Sequence, residues 1–335
     1  MIDPQHMKLI QVLITNKCNM SCTHCSQMCP HQQNKFFMSL EEIENALCTL
    51  RDYPGHIGCM GGEPTLHPQF KDVLALYRKY VPVKARRELW TNGANYEKYR
   101  KEIEETFYKE LIAYNEHEEQ QECWHQPNHV AACEVFSGMV TGNVQDDHDL
   151  MWKVIDNCWV QNRWSAMITP MGAYYCEVAA ARANVMSGPK GIAVREGWWK
   201  EPMQSYEFLK RDLCSQCGMC LPMPMVPNDK QEWDDVSPRL LQRLKRIGTP
   251  FAAKGKCQAF NIPMLQQFYQ CRTWEPETEY ELRGGWKDFP EWRPWNYRDY
   301  AEKKHSPEDV KRSSDKQHKR HLVQGNRTKK TKESS

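Results

Sequence analysis

Three cysteines stand close together near the start of the chain, in Cys18-Asn19-Met20-Ser21-Cys22-Thr23-His24-Cys25. Thiolates so spaced hold iron–sulfur clusters or structural zinc. A four-iron cube in electron transfer usually takes four cysteines. Three leave one iron open to a small molecule, which is what inner-sphere electron delivery to a sulfonium requires. The competing reading is a zinc site completed by His24, Cys29 or His31. A second motif, Gly61-Gly62-Glu63-Pro64, favours the open iron. Its two glycines let a ligand approach the backbone, and Glu63 is a carboxylate suited to an ammonium group.

More thiols follow later. Cys158 and Cys176 bracket a stretch centred on Pro170-Met171-Gly172, and Cys214, Cys217 and Cys220 recur at every third position. Five thiols exceed the four that one cube takes, so one is spare. A zinc knuckle built from the same residues is the alternative. The chain has fifteen cysteines in 335 residues, and its N-terminus lacks a basic stretch followed by an apolar one. Clustered cysteines in such a chain point to metal ligation in a reducing compartment. Cys257 and Cys271 are too isolated to assign, and Cys48, Cys59, Cys123 and Cys133 read as core residues or bystanders.

The elements that must position these groups can be read from periodicity. The run Lys8–Thr15 (KLIQVLIT) predicts a buried strand leading directly into the cysteine loop. Ser39-Leu40-Glu41-Glu42 predicts a capped helix to about Leu50, and His56–Met60 a second strand ending at Gly61. Pro68 is placed to open a helix that carries Phe70, Val73, Leu74 and Tyr77 on one face. A third strand runs to Thr91-Asn92-Gly93, residues 96–105 read as helix and 108–114 as a fourth strand. Four alternations predict a parallel α/β sheet or barrel, in which ligands sit at the carboxyl ends of the strands, where both motifs fall. After about residue 150 the alternation fades. Arg163–Thr169 and Ala173–Cys176 predict a β-hairpin, Glu177–Ala183 a short helix, and residues 184–235 an irregular cap. Six aromatic residues from Trp286 to Tyr300 predict a segment wrapped on the body. Met1–Met7 shows no periodicity and is set aside from the fold as leader residues.

With CxxxCxxC after the first strand, GGEP after the second and TNG after the third, residues 8–150 resemble the core of the radical S-adenosylmethionine (SAM) superfamily. The resemblance implies an α/β fold, a partial (β/α)6 TIM-like barrel. It also implies a [4Fe–4S] cluster on Cys18, Cys22 and Cys25 with SAM on the open iron. Gly61, Gly62 and Glu63 would then hold the SAM amino group, and Thr91 and Asn92 would line the same site. The implied activity is reductive cleavage of SAM to a 5′-deoxyadenosyl radical, fed by a flavodoxin- or ferredoxin-type electron donor. One departure is His24, where the family usually has an aromatic residue. Residues 151–235 resemble the SPASM/Twitch extensions, a C-terminal β-hairpin and helix, in the short single-cluster Twitch form. That resemblance implies a second [4Fe–4S] cluster on Cys158, Cys176, Cys214 and Cys217, with Cys220 as alternative ligand or hydrogen-atom donor. Residues 236–302 are expected to form the wrapping segment and 303–335 a basic, disordered tail.

Substrate contacts are expected around Asn115-Glu116-His117, after the fourth strand, with His125, His129 and Glu134 close behind. Glu116 and His117 are the catalytic candidates as bases, against the plainer reading of a solvated loop. Trp198-Trp199 and the run Trp286 to Trp295 suit stacking on a sugar or base, or core packing. The leading expectation is an oxidoreductase acting on a polar small molecule, a sugar, aminocyclitol or nucleotide-like compound. An epimerase or isomerase, including one acting on a nucleic-acid-linked substrate, is the alternative. A non-catalytic zinc or iron–sulfur protein that binds nucleic acid through its tail is the reading from a different class. Residues 311–335 carry 9 Lys/Arg against 2 Asp/Glu in a chain of net charge +2, but the tail lacks the interleaved aromatics that stack on bases. No apolar run is long enough to cross a bilayer, so a soluble cytoplasmic protein is expected.

Overall fold

The computed structural model describes residues 1–114, 124–125, 129–158, 160–161, 164–221, 226–227 and 233–270. Strand β1 (Leu9–Thr15) is buried at every position, as its run of β-branched and aliphatic residues demands. Ser39 then caps α1 (Leu40–Thr49) through the capping box: its Oγ accepts from Glu42 N at 3.1 Å, and Ser39 N donates to the Glu42 carboxylate at 2.7 Å. β2 (His56–Gly61), α2 (Phe70–Tyr80), β3 (Arg87–Thr91), α3 (Tyr96–Thr106) and β4 (Ile112–Tyr114) complete the alternation. Two of these bounds differ from expectation by more than one residue. Helix α2 begins at Phe70, two residues after Pro68, and Pro64 opens a separate 3-10 turn at Pro64–Leu66. The fourth strand begins only at Ile112, because Lys109–Leu111 coils into another 3-10 turn.

There follow β5 (Trp124–His125), α4 (Ala132–Val135), α5 (Val144–Asp156), β6 (Ser165–Thr169), β7 (Gly172–Tyr174), α6 (Glu177–Met186), α7 (Glu207–Cys214), β8 (Val226–Pro227), β9 (Asp234–Val236), α8 (Pro238–Ile247), α9 (Pro250–Ala253), β10 (Cys257–Ala259) and α10 (Ile262–Gln270). The main sheet runs β4-β3-β2-β1-β6-β7. Its first five strands are parallel, with Ile10 opposite Ile57 and Val12 opposite Ile168 on the two edges of β1. β7 returns antiparallel to β6. The described residues thus form a parallel-dominated mixed sheet in which strands were added on both sides of β1. The turn at Pro170-Met171 makes the hairpin the edge of this sheet, not a separate layer.

Alternation along β1 assigns its two faces. Ile10, Val12 and Ile14 pack with α1, α2 and α3 through Leu47, Leu74 and Ile103. Leu13, with Met60 and Met167 from its neighbours, packs with α5, α6 and α7 through Leu150, Ala180 and Leu213. A smaller cluster joins Val236, Leu240 and Leu244 to Met28 of the cysteine loop and to Val185 and Met186 at the end of α6. Residues 1–7 pack against the body: Met7 is buried, the Met1 amine donates to Asp156 O at 2.7 Å, and Asp3 Oδ1 accepts from Met203 N at 2.9 Å. Among the described residues no helix is long and apolar enough to cross a membrane.

Candidate active site

The loop after β1 carries the first three cysteines. Asn16 anchors it, donating from Nδ2 to Asn34 O at 2.8 Å and accepting at Oδ1 from Phe36 N at 2.8 Å. Two non-glycine residues in the left-handed region, His24 (φ 52°) and Met28 (φ 49°), fold the loop back on itself. Such backbone persists where the surroundings over-determine it. Cys18, Cys22 and Cys25 are partly exposed, while Cys29, in a 3-10 turn at Cys29–His31, is buried. A hydrogen bond from the Cys29 thiol, helped by Met20 N–H, outweighs burial and brings the Cys18 thiol down to about 7. The Cys25 thiol is lowered by the same partner. Cys22 has no such donor, and burial beside Cys25 and Cys18 pushes it up to about 12. Thiolate is the form that ligates metal, so this donor set suits a thiophilic centre.

The other two motifs close on this loop. Gly62 N donates to Thr15 O at 2.9 Å and Glu63 N to Lys17 O at 2.8 Å. A Cβ on Gly62 would lie 2.5 Å from Lys17 O, so only glycine allows β2 to approach the cysteine loop this closely. The Glu63 carboxylate is fully buried and turned into the protein. Oε1 accepts from Thr65 N at 3.0 Å, Thr65 Oγ1 at 2.5 Å and Thr91 Oγ1 at 2.7 Å, and Oε2 accepts from Asn92 N at 2.6 Å. Asn92 Nδ2 in turn donates to Cys18 Sγ at 3.5 Å and to Asn19 Oδ1 at 3.0 Å. Residues 18, 63 and 92, on three consecutive strand ends, therefore form one hydrogen-bonded unit.

Behind the loop lies a buried knot that the residue-level reading did not foresee. Asp234 on β9 accepts from His24 N at 2.5 Å; its other oxygen lies 2.8 Å from His31 Nε2 and 3.1 Å from His129 Nδ1. Burial works against the Asp234 carboxylate, but His129 and His31 hold it well below the usual range. Burial pushes the His129 imidazole down to about 4, so it is neutral near pH 7. His24 packs within this knot, its ring 6.2 Å from that of His129.

The later thiols converge as well. Cys158, Cys176, Cys214, Cys217 and Cys220 line a single pocket, with Tyr175 and Met1. Tyr175 Oη lies 2.8 Å from Cys214 Sγ. Burial raises the thiols of Cys176, Cys214 and Cys220, so a metal taken up here must release their protons. Glu177, next to Cys176, joins the two regions: its carboxyl accepts from Ser165 Oγ at 2.6 Å, Trp164 Nε1 at 2.8 Å and Gln27 Nε2 at 3.4 Å, and burial pushes it up to about 7.

Other candidates fare differently. Glu116, His117, the His125 side chain, Cys123, Cys271, the run Trp286 to Trp295 and the basic tail lie outside the described residues. His129 is bound into the Asp234 knot. Glu134 caps α8, accepting from Arg239 N at 3.0 Å and Ser237 Oγ at 2.6 Å. Trp198 and Trp199 are buried, Trp199 against Tyr53, which is core packing. Cys59 is a core residue.

The sequence model of the Radical SAM superfamily matches residues 12–113, the span that holds the cysteine triad, GGEP and TNG. Among solved structures, the chain is similar to the crystal structure of BtrN in complex with AdoMet and 2-DOIA, at 18% identity over 63% of this chain and 92% of that one, TM-score 0.41. It is also similar to the crystal structure of SeMet BtrN in an open conformation, at 17% identity over 63% and 86%, TM-score 0.38. No curated protein matches.

Proposed function

We propose, for a chain that carries a radical SAM domain over residues 12–113, an oxidoreductase that abstracts hydrogen from a polar small molecule. The observation that carries this reading is the convergence of Cys18, Glu63 and Asn92 into one hydrogen-bonded unit at the ends of β1, β2 and β3. Cys18, Cys22 and Cys25 would hold a [4Fe–4S] cluster, whose chemistry with SAM on the open iron is reductive cleavage to a carbon-centred radical. Gly61 and Gly62, with Thr91 and Asn92, would line the amino-acid end of SAM, and the Glu63 carboxylate, expected to hold the SAM amino group, is bonded to Thr65, Thr91 and the Asn92 backbone. Glu63 fixes the distance between the Gly62 and Asn92 backbones, and the Asn92 amide orients a ligand sulfur. Cys158, Cys176, Cys214 and Cys217 suit a second [4Fe–4S] cluster that accepts the substrate electron, giving net oxidation. Sugars, aminocyclitols and nucleotide-like compounds are the substrate class. The electron donor is of flavodoxin or ferredoxin type, and the compartment the cytoplasm.

The fifth thiol favours a second reading. Cys220 lines the same pocket as the other four, and a thiol left unligated can return a hydrogen atom to the opposite face of a substrate, giving an epimer. Anaerobic reconstitution with iron and sulfide tests the cluster assignment that both readings share. About eight irons per chain, four in each of two clusters, are expected. Cys214→Ala with Cys217→Ala should leave about four, and Cys18→Ala should abolish 5′-deoxyadenosine formation from SAM and dithionite. Bound zinc with no SAM cleavage would sink the proposal.

A further inference from the structure

The Asp234 knot gathers more ligating atoms than packing alone requires. His24, His129 and Asp234 are all buried, and each offers a nitrogen or oxygen within 4.8 Å of the other two. His129 Nδ1 lies 3.1 Å from Asp234 Oδ2, and His24 Nδ1 lies 4.0 Å from Asp234 Oδ1. Two ligands of one tetrahedral ion, each about 2.0–2.2 Å from the metal, stand about 3.3 Å apart, a value between these two. A supporting set surrounds the trio. His31 Nε2 lies 2.8 Å from Asp234 Oδ2 and His31 Nδ1 lies 3.2 Å from Thr249 Oγ1, so both nitrogens of that ring are engaged in holding the carboxylate. The loop itself adds the His24 N–H, which donates to Asp234 Oδ1 at 2.5 Å. On the other side of the His24 ring, Asp235 Oδ2 lies 3.9 Å from Nε2, the side on which a carboxylate stands behind a metal-ligating imidazole. His129 differs from His31: its Nε2 is buried with no hydrogen-bond partner among the described residues. A buried polar atom without a partner costs free energy, and a knot built for hydrogen bonding alone would use both nitrogens.

We propose that His24, His129 and Asp234 form a site for one divalent transition-metal ion, with zinc as its preferred occupant, distinct from the two cysteine sites. The inference does not rest on the cluster assignment above. Two imidazoles and a carboxylate suit a borderline cation, whereas thiolates suit softer centres, and such a site holds zinc more tightly than iron(II). His31 is a positioning residue, acting on the ion through Asp234. The ion joins three separate parts of the chain: the loop after β1 through His24, the segment before α4 through His129, and β9 through Asp234. It thereby fixes the backbone between Cys22 and Cys25, on either side of His24.

The test equilibrates the reconstituted full chain with zinc sulfate, dialyses it, and combines metal analysis with X-ray absorption at the zinc edge. One zinc per chain is expected, in a shell of nitrogen and oxygen at about 2.0–2.1 Å with no sulfur at about 2.3 Å. Asp234→Asn and His129→Gln should lose the zinc and keep the iron. His31→Ala should bind zinc about 10–100-fold more weakly than the parent. The absorption measurement on the parent chain decides the case even where a variant does not fold. A chain with about eight irons that retains no zinc overturns this inference and leaves the cluster assignment standing. Zinc held by sulfur, and retained in Asp234→Asn and His129→Gln, overturns it too and places the metal at the cysteines, which brings down the cluster assignment as well.

Discussion

Glu177 places a carboxyl group where little water reaches, shared among Ser165, Trp164 and Gln27. It ties the cysteine loop to the start of α6, beside Cys176. Glu177→Ala removes an acceptor common to three buried donors and should cost about 2–4 kcal/mol in a urea titration. Glu177→Gln should cost within about 1 kcal/mol. Gln27 Oε1 is buried without a hydrogen-bond partner among the described residues and can receive the new amide. At this scale the cysteine triad, GGEP and TNG were legible because each is a short string whose residues act together. Glu177 was not, because its partners stand at 27, 164 and 165, and an acid at the start of a helix reads as an ordinary dipole partner. Asp234 escaped for the same reason, since its partners lie at 24, 31 and 129.

Helix α5 shows how an element can be hidden by one inward polar residue. Leu150, Met151, Val154 and Ile155 lie on its buried face, but so does Asp147. Its carboxylate accepts from Gly138 N at 2.6 Å, Val140 N at 3.2 Å, and Thr141 N and Oγ1 at 2.7 Å each, closing the loop before the helix. Burial opposes ionisation, yet the Thr141, Val140 and Gly138 donors hold the group below the usual carboxylate range. A depressed carboxylate contributes stability above its unfolded pKa, and that contribution is lost as pH falls through the folded one. Asp147→Asn should therefore cost about 1–2 kcal/mol near pH 7 in chemical denaturation. The difference from the parent should shrink below about pH 4. The change of texture in the sequence falls at about residue 150, inside this helix, because the anchoring acid interrupts the apolar period. The hairpin at Pro170 was visible, but a period of two assigns faces and not neighbours. Its position beside β1 was therefore out of reach.

Across the molecule, the Asp234 knot gathers distant parts of the chain: His24 and His31 from the loop after β1, His129 from the segment before α4, and Thr249, whose Oγ1 lies 3.2 Å from His31 Nδ1. This makes the small β9/β10 unit part of the wall behind the cysteine loop. Asp234→Ala should destabilise the chain by about 2–4 kcal/mol and raise hydrogen exchange at the His24 amide, which loses its acceptor. A thermal melt with only a local change in exchange, and no loss of stability, would show that the loop holds its shape unaided.

Because β1 is central, its two edges are completed at very different times when the chain is made. β2 follows after about forty residues, whereas β6 emerges roughly 150 residues after β1. At about 5–20 residues per second, a ribosome leaves that second edge of LIQVLIT unpaired for roughly 8–30 s. An unpaired hydrophobic strand edge is a template for association with other chains. Yield in a host cell should therefore respond to translation speed and to holdase chaperones more than the stability of the finished fold would suggest.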